Sequence, residues 1–170
     1  MYPRPLALLA FTLIALTATG CTRQETVQTG RFADDAAGGL PYSGLRYEAQ
    51  PSGLAGEVAG GTFRFQSRDN ITFYLGDFPL GSFDTAGNVA AVTLEALQVA
   101  GLSDAEYGGY VVSLRAMLRS LDSDGETGNG VSVSADDQAA FAGIHMTGKA
   151  IDTLRHELAA LSVVRVVGVR

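Results

Sequence analysis

Residues 53–83 read GLAGEVAGGTFRFQSRDNITFYLGDFPLGSF, short runs of alternating apolar and polar residues broken by glycine turns. A period of two is the mark of a strand with one buried face. In Thr62-Phe63-Arg64-Phe65-Gln66 it places Phe63 and Phe65 together. In residues 71–75 it places Ile71, Phe73 and Leu75 on one face, with Thr72 and Tyr74 on the other. Ser67-Arg68-Asp69-Asn70 and Gly76-Asp77 supply turns, and Gly60-Gly61 predicts a hairpin turn between 55–59 and 62–66. Three short strands with one apolar face need a cover, because an isolated small sheet is marginal in water. The rest of the chain is expected to provide it.

Residues 1–20 read as a targeting segment. Arg4 is a positive n-region, and LALLAFTLIAL over 6–16 is apolar apart from Thr12. That run is too short to span a bilayer, which takes about 20 apolar residues. Ala18-Thr19-Gly20 then stand directly before Cys21, the chain's only cysteine. The arrangement resembles the lipobox of bacterial lipoproteins, although Ala18 replaces the leucine most common there. The resemblance implies cleavage before Cys21, diacylation of its thiol and acylation of the new amine. Several acyl chains anchor stably where one binds only marginally. Thr22 in the second mature position resembles lipoproteins sorted to the outer membrane of Gram-negative bacteria. An ordinary secretory leader followed by an incidental cysteine is the alternative.

A single cysteine excludes an internal disulfide and a thiolate-rich zinc site. The formal charge of −6 becomes −7 once the leader is removed with Arg4, its one charged residue. So acidic a chain is not built for nucleic acid. Residues 22–39 are polar and lack apolar period, which predicts a flexible tether over 21–40 and one globular domain over 41–170. Residues 45–49 predict a first strand, and 89–100 fit either a strand or a short helix. Ser103 and Glu106 form a capping box opening a helix that runs to Leu121, although Gly108-Gly109 suggest a later start. Its apolar face is Tyr107, Tyr110, Val111, Leu114, Met117, Leu118 and Leu121. Val131-Ser132-Val133 reads as a short strand, and Ser134-Ala135-Asp136-Asp137 caps a second helix that Gly143 ends. A third helix is expected over 148–161, and the valines of 163–169 predict a strand returning to the main sheet. The fold class is therefore α+β: a small antiparallel sheet or partial sandwich with about three helices and a C-terminal strand.

The chemistry-bearing cluster is the turn over 122–130. Asp122, Asp124, Glu126 and Asn129 present hard oxygen ligands along glycine-rich backbone, as calcium coordination requires. Compared with an EF-hand loop, Thr127 replaces the glycine of the sixth position and Val133 the glutamate of the twelfth. A solvated turn accounts for the same residues through backbone preference alone. His156-Glu157 begins like a HExxH zinc motif, but Ala160 stands where the second histidine belongs, and His145 is off that face. There is no GxSxG elbow, no GxGxxG after a strand and no P-loop lysine motif, so no enzyme is expected. Tyr42, Tyr47, Tyr74, Tyr107 and Tyr110 fit either an exposed platform for glycan or peptide, or core rims with a wet hydroxyl.

In order along the chain, Gly44-Leu45-Arg46-Tyr47, Ser52-Gly53-Leu54-Ala55-Gly56, Gly61-Thr62-Phe63-Arg64-Phe65 and Ile71-Thr72-Phe73-Tyr74-Leu75-Gly76 form one pattern. Leu80-Gly81, Leu121-Asp122-Ser123-Asp124-Gly125 and Asn129-Gly130 complete it. The pattern resembles a module of bacterial surface proteins and lipoproteins. The resemblance implies a small prealbumin- or immunoglobulin-like β-sandwich piece serving as a spacer or adhesive module, and it brings no catalytic residues. Two functions follow: a structural or adhesive envelope module with a protein or cell-surface partner, or a ligand-binding lipoprotein using a pocket between sheet and helices, with or without calcium.

Overall fold

A computed structural model of the chain describes residues 26–35, 39–86, 91–126 and 128–145. The strands are β1 (Gln28–Arg31), β2 (Tyr42–Ser43), β3 (Arg46–Gln50), β4 (Leu54–Glu57), β5 (Thr62–Phe65), β6 (Asn70–Leu75) and β7 (Phe78–Asp84). A 3-10 turn (Leu94–Ala96), helix α1 (Asp104–Ser120), strand β8 (Val131–Ser132) and helix α2 (Ala135–Ala140) follow. Four strands form an antiparallel sheet in the order β4-β3-β6-β7, β1 pairs antiparallel with β5, and β2 pairs parallel with β8. The class is α+β, mostly antiparallel sheet with two α-helices among the described residues. The leader, Cys21, the helix expected over 148–161, His156 and the C-terminal valine strand lie outside the described residues.

Alternation sets the registers as expected. Phe63, Phe65, Ile71, Phe73 and Leu75 are buried, Arg64 is exposed, and Gln66 and Thr72 are half-buried. Gly76 has φ +58°, and a Cβ there would lie 2.4 Å from the Gln138 carbonyl oxygen, so the β6–β7 turn requires glycine at that close approach. Opposite Phe73 and Tyr74 the register shifts: Phe73 faces Gly81 and Tyr74 faces Pro79, leaving Leu80 as a bulge. Pro79 is tolerated because β7 is the sheet's edge.

The partnering of the strands differs from the expected meander in two ways. The Gly60-Gly61 turn closes as a hairpin, with reciprocal Ala59 and Thr62 backbone bonds of 3.1 and 2.9 Å. Yet the strands on either side go to different sheets, β4 to β3 and β5 to β1. The turn is a corner between layers. The expected tether is the second difference, since its latter part is fold. Gln28–Arg31 pairs with β5, the Phe32 N–H donates to the Gly61 carbonyl at 2.6 Å, and Phe32 is fully buried. Phe32 stacks on Phe73 with ring centroids 4.3 Å apart, while Phe63 meets Phe73 edge-on at 5.1 Å. An aromatic cluster of this kind joins the β1–β5 ribbon to the larger sheet.

One cap of the core comes from α1. Tyr110, Val111, Leu114, Met117, Leu118 and Leu121 are buried at the expected spacing. The Ser103 N–H donates to Glu106 Oε2 at 2.9 Å, and the helix begins at Asp104 even though Gly108 and Gly109 each cost about 1 kcal/mol relative to alanine. Within the stretch 89–100, the described residues 91–100 take part of each expected form: Val92 bridges Phe32, Gln98 bridges Ser82, and a 3-10 turn lies between. Ser134 caps α2 by accepting from the Asp137 N–H at 3.2 Å, and Gly143 at φ +76° follows its end. The tyrosines are mainly core: Tyr42, Tyr47 and Tyr110 are buried, with their hydroxyls on Asp34, the Arg64 N–H and the Leu80 carbonyl. Phe73→Ala should cost about 3–5 kcal/mol in chemical denaturation, whereas Thr72→Ala on the opposite face should cost less than about 1 kcal/mol. Equal losses at the two positions would contradict this register.

Candidate functional site

The acidic turn follows directly from the end of α1. Leu121 closes the helix, and an antiparallel bridge between Asp122 and Val133 brings the chain back. Asp122 Oδ1 accepts from the Ser132 N–H at 2.9 Å. Asp124 uses both oxygens inside the turn, Oδ1 accepting from the Glu126 N–H and Oδ2 from Asn129 Nδ2, each at 2.9 Å. The backbone N–H of Glu126 and the Asn129 amide hold the Asp124 carboxyl below its ordinary range, by favouring its charged form. Of the side chains named as calcium ligands, Asp122, Asp124 and Asn129 are thus turned to local backbone and to one another, and Glu126 is exposed. Among the described residues, no three His, Cys, Asp or Glu side chains converge in a way that fits a metal ion. His145 is exposed at the end of the described chain.

Among the described residues a dense charged arrangement lies beside this turn, and the sequence gives little sign of it. Asp34 Oδ1 accepts from Arg115 Nε at 2.7 Å and from the Tyr42 hydroxyl at 3.0 Å, and Oδ2 accepts from Arg119 Nη2 at 2.6 Å. Arg115 also pairs with Glu95. Burial raises the Asp34 pKa, but the hydrogen bonds from Arg115, Arg119 and Tyr42 outweigh it and hold the carboxyl below its usual range. For Tyr42, burial together with the Asp34 charge pushes the phenol well above its ordinary value. The one available signal was the i, i+4 spacing of Arg115 and Arg119, which places two cations on one helix face. Their partner is more than 80 positions away, in the stretch read as tether.

Between the Asp34 segment and the acidic turn lies a cleft of about 240 Å³ lined by Asp34, Leu40, Arg119, Asp122, Gly130 and Val131. It is smaller than the roughly 300–1,000 Å³ of sites that enclose small organic ligands. On the outer face of the large sheet, the Arg46 guanidinium sits 4.0 Å above the Tyr74 ring and pairs with Glu48. Tyr74 therefore faces away from Phe73, as the alternation predicts. Among the described residues the exposed large hydrophobic side chains are Val27, Leu40 and Val112.

No protein-family model matches this chain, and no curated protein or solved structure matches it. The acidic turn and the Asp34 cluster therefore stand on their geometry alone. Because both Asp124 oxygens and Asp122 Oδ1 already close the turn, a thermal melt in excess calcium should overlay the melt in chelator. A calcium site formed only in the folded state would instead raise stability by about 2.7 kcal/mol at a hundredfold excess over Kd. Asp122→Asn with Asp124→Asn would abolish such a rise, and its appearance in the parent protein would overturn the turn reading.

Proposed function

We propose that this chain is a cell-envelope lipoprotein, anchored through Cys21 in the outer membrane of a Gram-negative bacterium. Its globular part is a non-enzymatic structural or adhesive module. The observation that carries the reading is the position of the only cysteine, directly after Ala18-Thr19-Gly20 and an apolar leader run. The thiol there is the one side chain able to carry a thioether-linked lipid. Among the described residues no helix is long and apolar enough to cross a membrane.

The non-enzymatic part of the reading is supported by how the polar side chains are used. Asp34, Asp69, Asp122, Asp124 and Asp137 all accept hydrogen bonds that close turns, cap helices or join elements. The finer fold assignment, a prealbumin- or immunoglobulin-like sandwich piece, is supported by the two antiparallel sheets meeting at Phe32, Phe63 and Phe73. The partner of such a module is a protein or a cell surface. The alternative is a ligand-binding lipoprotein, for which the cleft beside Asp34, at about 240 Å³, is one place among the described residues that a small ligand could enter.

Cys21→Ser should abolish incorporation of labelled fatty acid and move the protein from the membrane to the soluble fraction. Retention of the variant in membranes after a high-salt wash would contradict a lipid anchor at that position.

A further inference from the structure

Resting on the lipid anchor at Cys21, we propose that one end of the domain lies against the bilayer. That end comprises the turns at 50–53 and 66–70 and the chain leaving β7 at 84–86, and the acidic turn points away from the membrane. Seven residue steps separate Cys21 from Gln28, the first residue of β1. Fully extended chain spans at most about 3.6 Å per residue, so the start of β1 is held within about 25 Å of the lipid-bearing sulfur. If the whole of 22–39 were tether, the reach would be more than twice as long and no face would be selected.

The register then says which end is near. Gln28 pairs with Phe65, and its side-chain amide donates to Ser67 Oγ at 3.1 Å, so the start of β1 lies beside the β5–β6 turn. The same end of the large sheet is marked by Gln50 opposite Asn70 and Asn70 opposite Asp84. These turns form one rigid piece because Asp69, buried at 1 % exposure, ties them together. Its carboxylate accepts from the Ser52 N–H and hydroxyl and from the Gln66 N–H, and its carbonyl accepts from the Thr85 N–H at 2.8 Å. The exposed residues Gln50, Ser67, Arg68, Asn70 and Asp84 make this end polar, and Arg68 offsets the Asp84 carboxylate with a cation where lipid phosphates would be.

The acidic turn belongs to the opposite end. Val131 N–H donates to the Pro41 carbonyl at 2.9 Å, and Pro41 packs against Gly61, next to Thr62, which pairs with Arg31 at the far end of β1. Asp122, Asp124 and Glu126 are therefore at least a strand length, about 10 Å, further from the bilayer. At physiological salt that exceeds the screening length, so an acidic domain on an anionic surface is least repelled this way round.

The test uses the full chain, lipidated at Cys21, in phosphatidylethanolamine–phosphatidylglycerol vesicles with a nitroxide on the headgroup. Lipid occupies the native thiol, so a fluorophore reports only from Arg68→Cys in one sample or Asp124→Cys in another. The nitroxide should remove most of the emission at 68 and little at 124. A Gly-Ser spacer of about twenty residues inserted between Cys21 and Gln28 should restore the emission at 68. Equal quenching at the two positions, stronger quenching at 124, or no effect of the spacer overturns the orientation. A chain that takes up no labelled fatty acid and stays off the vesicles overturns the anchor itself, and the orientation falls with it.

Discussion

The pairing of β1 with β5, locked by Phe32, is the interaction on which the rest of the arrangement depends. Without β1, strand β5 would have no partner of its own, because it leaves the large sheet at the Gly60-Gly61 corner. A lone four-residue strand is not stable in water, and its unpaired backbone groups would be exposed. Phe32 then links the ribbon to both neighbouring layers. It stacks on Phe73 and lies 5.1 Å from Tyr42, its N–H and carbonyl bond Gly61 and Tyr42, and it bridges Val92. The Asp34 carboxylate, two residues on, clamps the same segment to α1 through Arg115 and Arg119. The Arg115 pair, half-buried on both sides, contributes more than the Arg119 pair, whose guanidinium is largely exposed.

A second constraint is Asp69, a carboxylate taken fully out of water. Removing a charge from solvent is costly unless donors replace the lost hydration. Here two backbone N–H groups and one hydroxyl do so, at 2.6 to 3.0 Å. The side chain ties the turn after β3 to the turn after β5, while its backbone carbonyl holds Thr85 at the end of β7. The end of the domain that β1 starts from is therefore stiff, with the turns after β3 and β5 and the end of β7 held to one another.

Side-chain alternation made the strands legible, but not their partners. The periods of 62–66 and 71–75 placed every inward residue correctly, because burial of one face is a local property of sequence. Which strands pair is decided by contacts distant in sequence. β1 carries no alternating apolar run, and Gly30 within QTGR looks like linker. In the fold Gly30 is required for packing, since a Cβ there would lie 2.4 Å from the Phe63 ring that covers it. The Asp34 cluster was unreadable for the same reason, as its members come from segments more than 80 residues apart. At the acidic turn the residue types were visible and their use was not. Ligand-like spacing and turn-closing hydrogen bonds call for the same Asp and Asn side chains, and only the positions of the Asp124 oxygens separate them.

The most direct measurement is backbone amide hydrogen exchange at Phe32 and Ala33 in the folded protein. Their N–H groups donate to Gly61 and Val92 at 2.6 and 3.0 Å, beside a fully buried ring. The account predicts protection at these two amides comparable to that of the central strand β6, opening only with the whole domain. Exchange there at the rate of an unstructured peptide, with β6 still protected, would make this segment the tether that its composition suggests and would contradict the account.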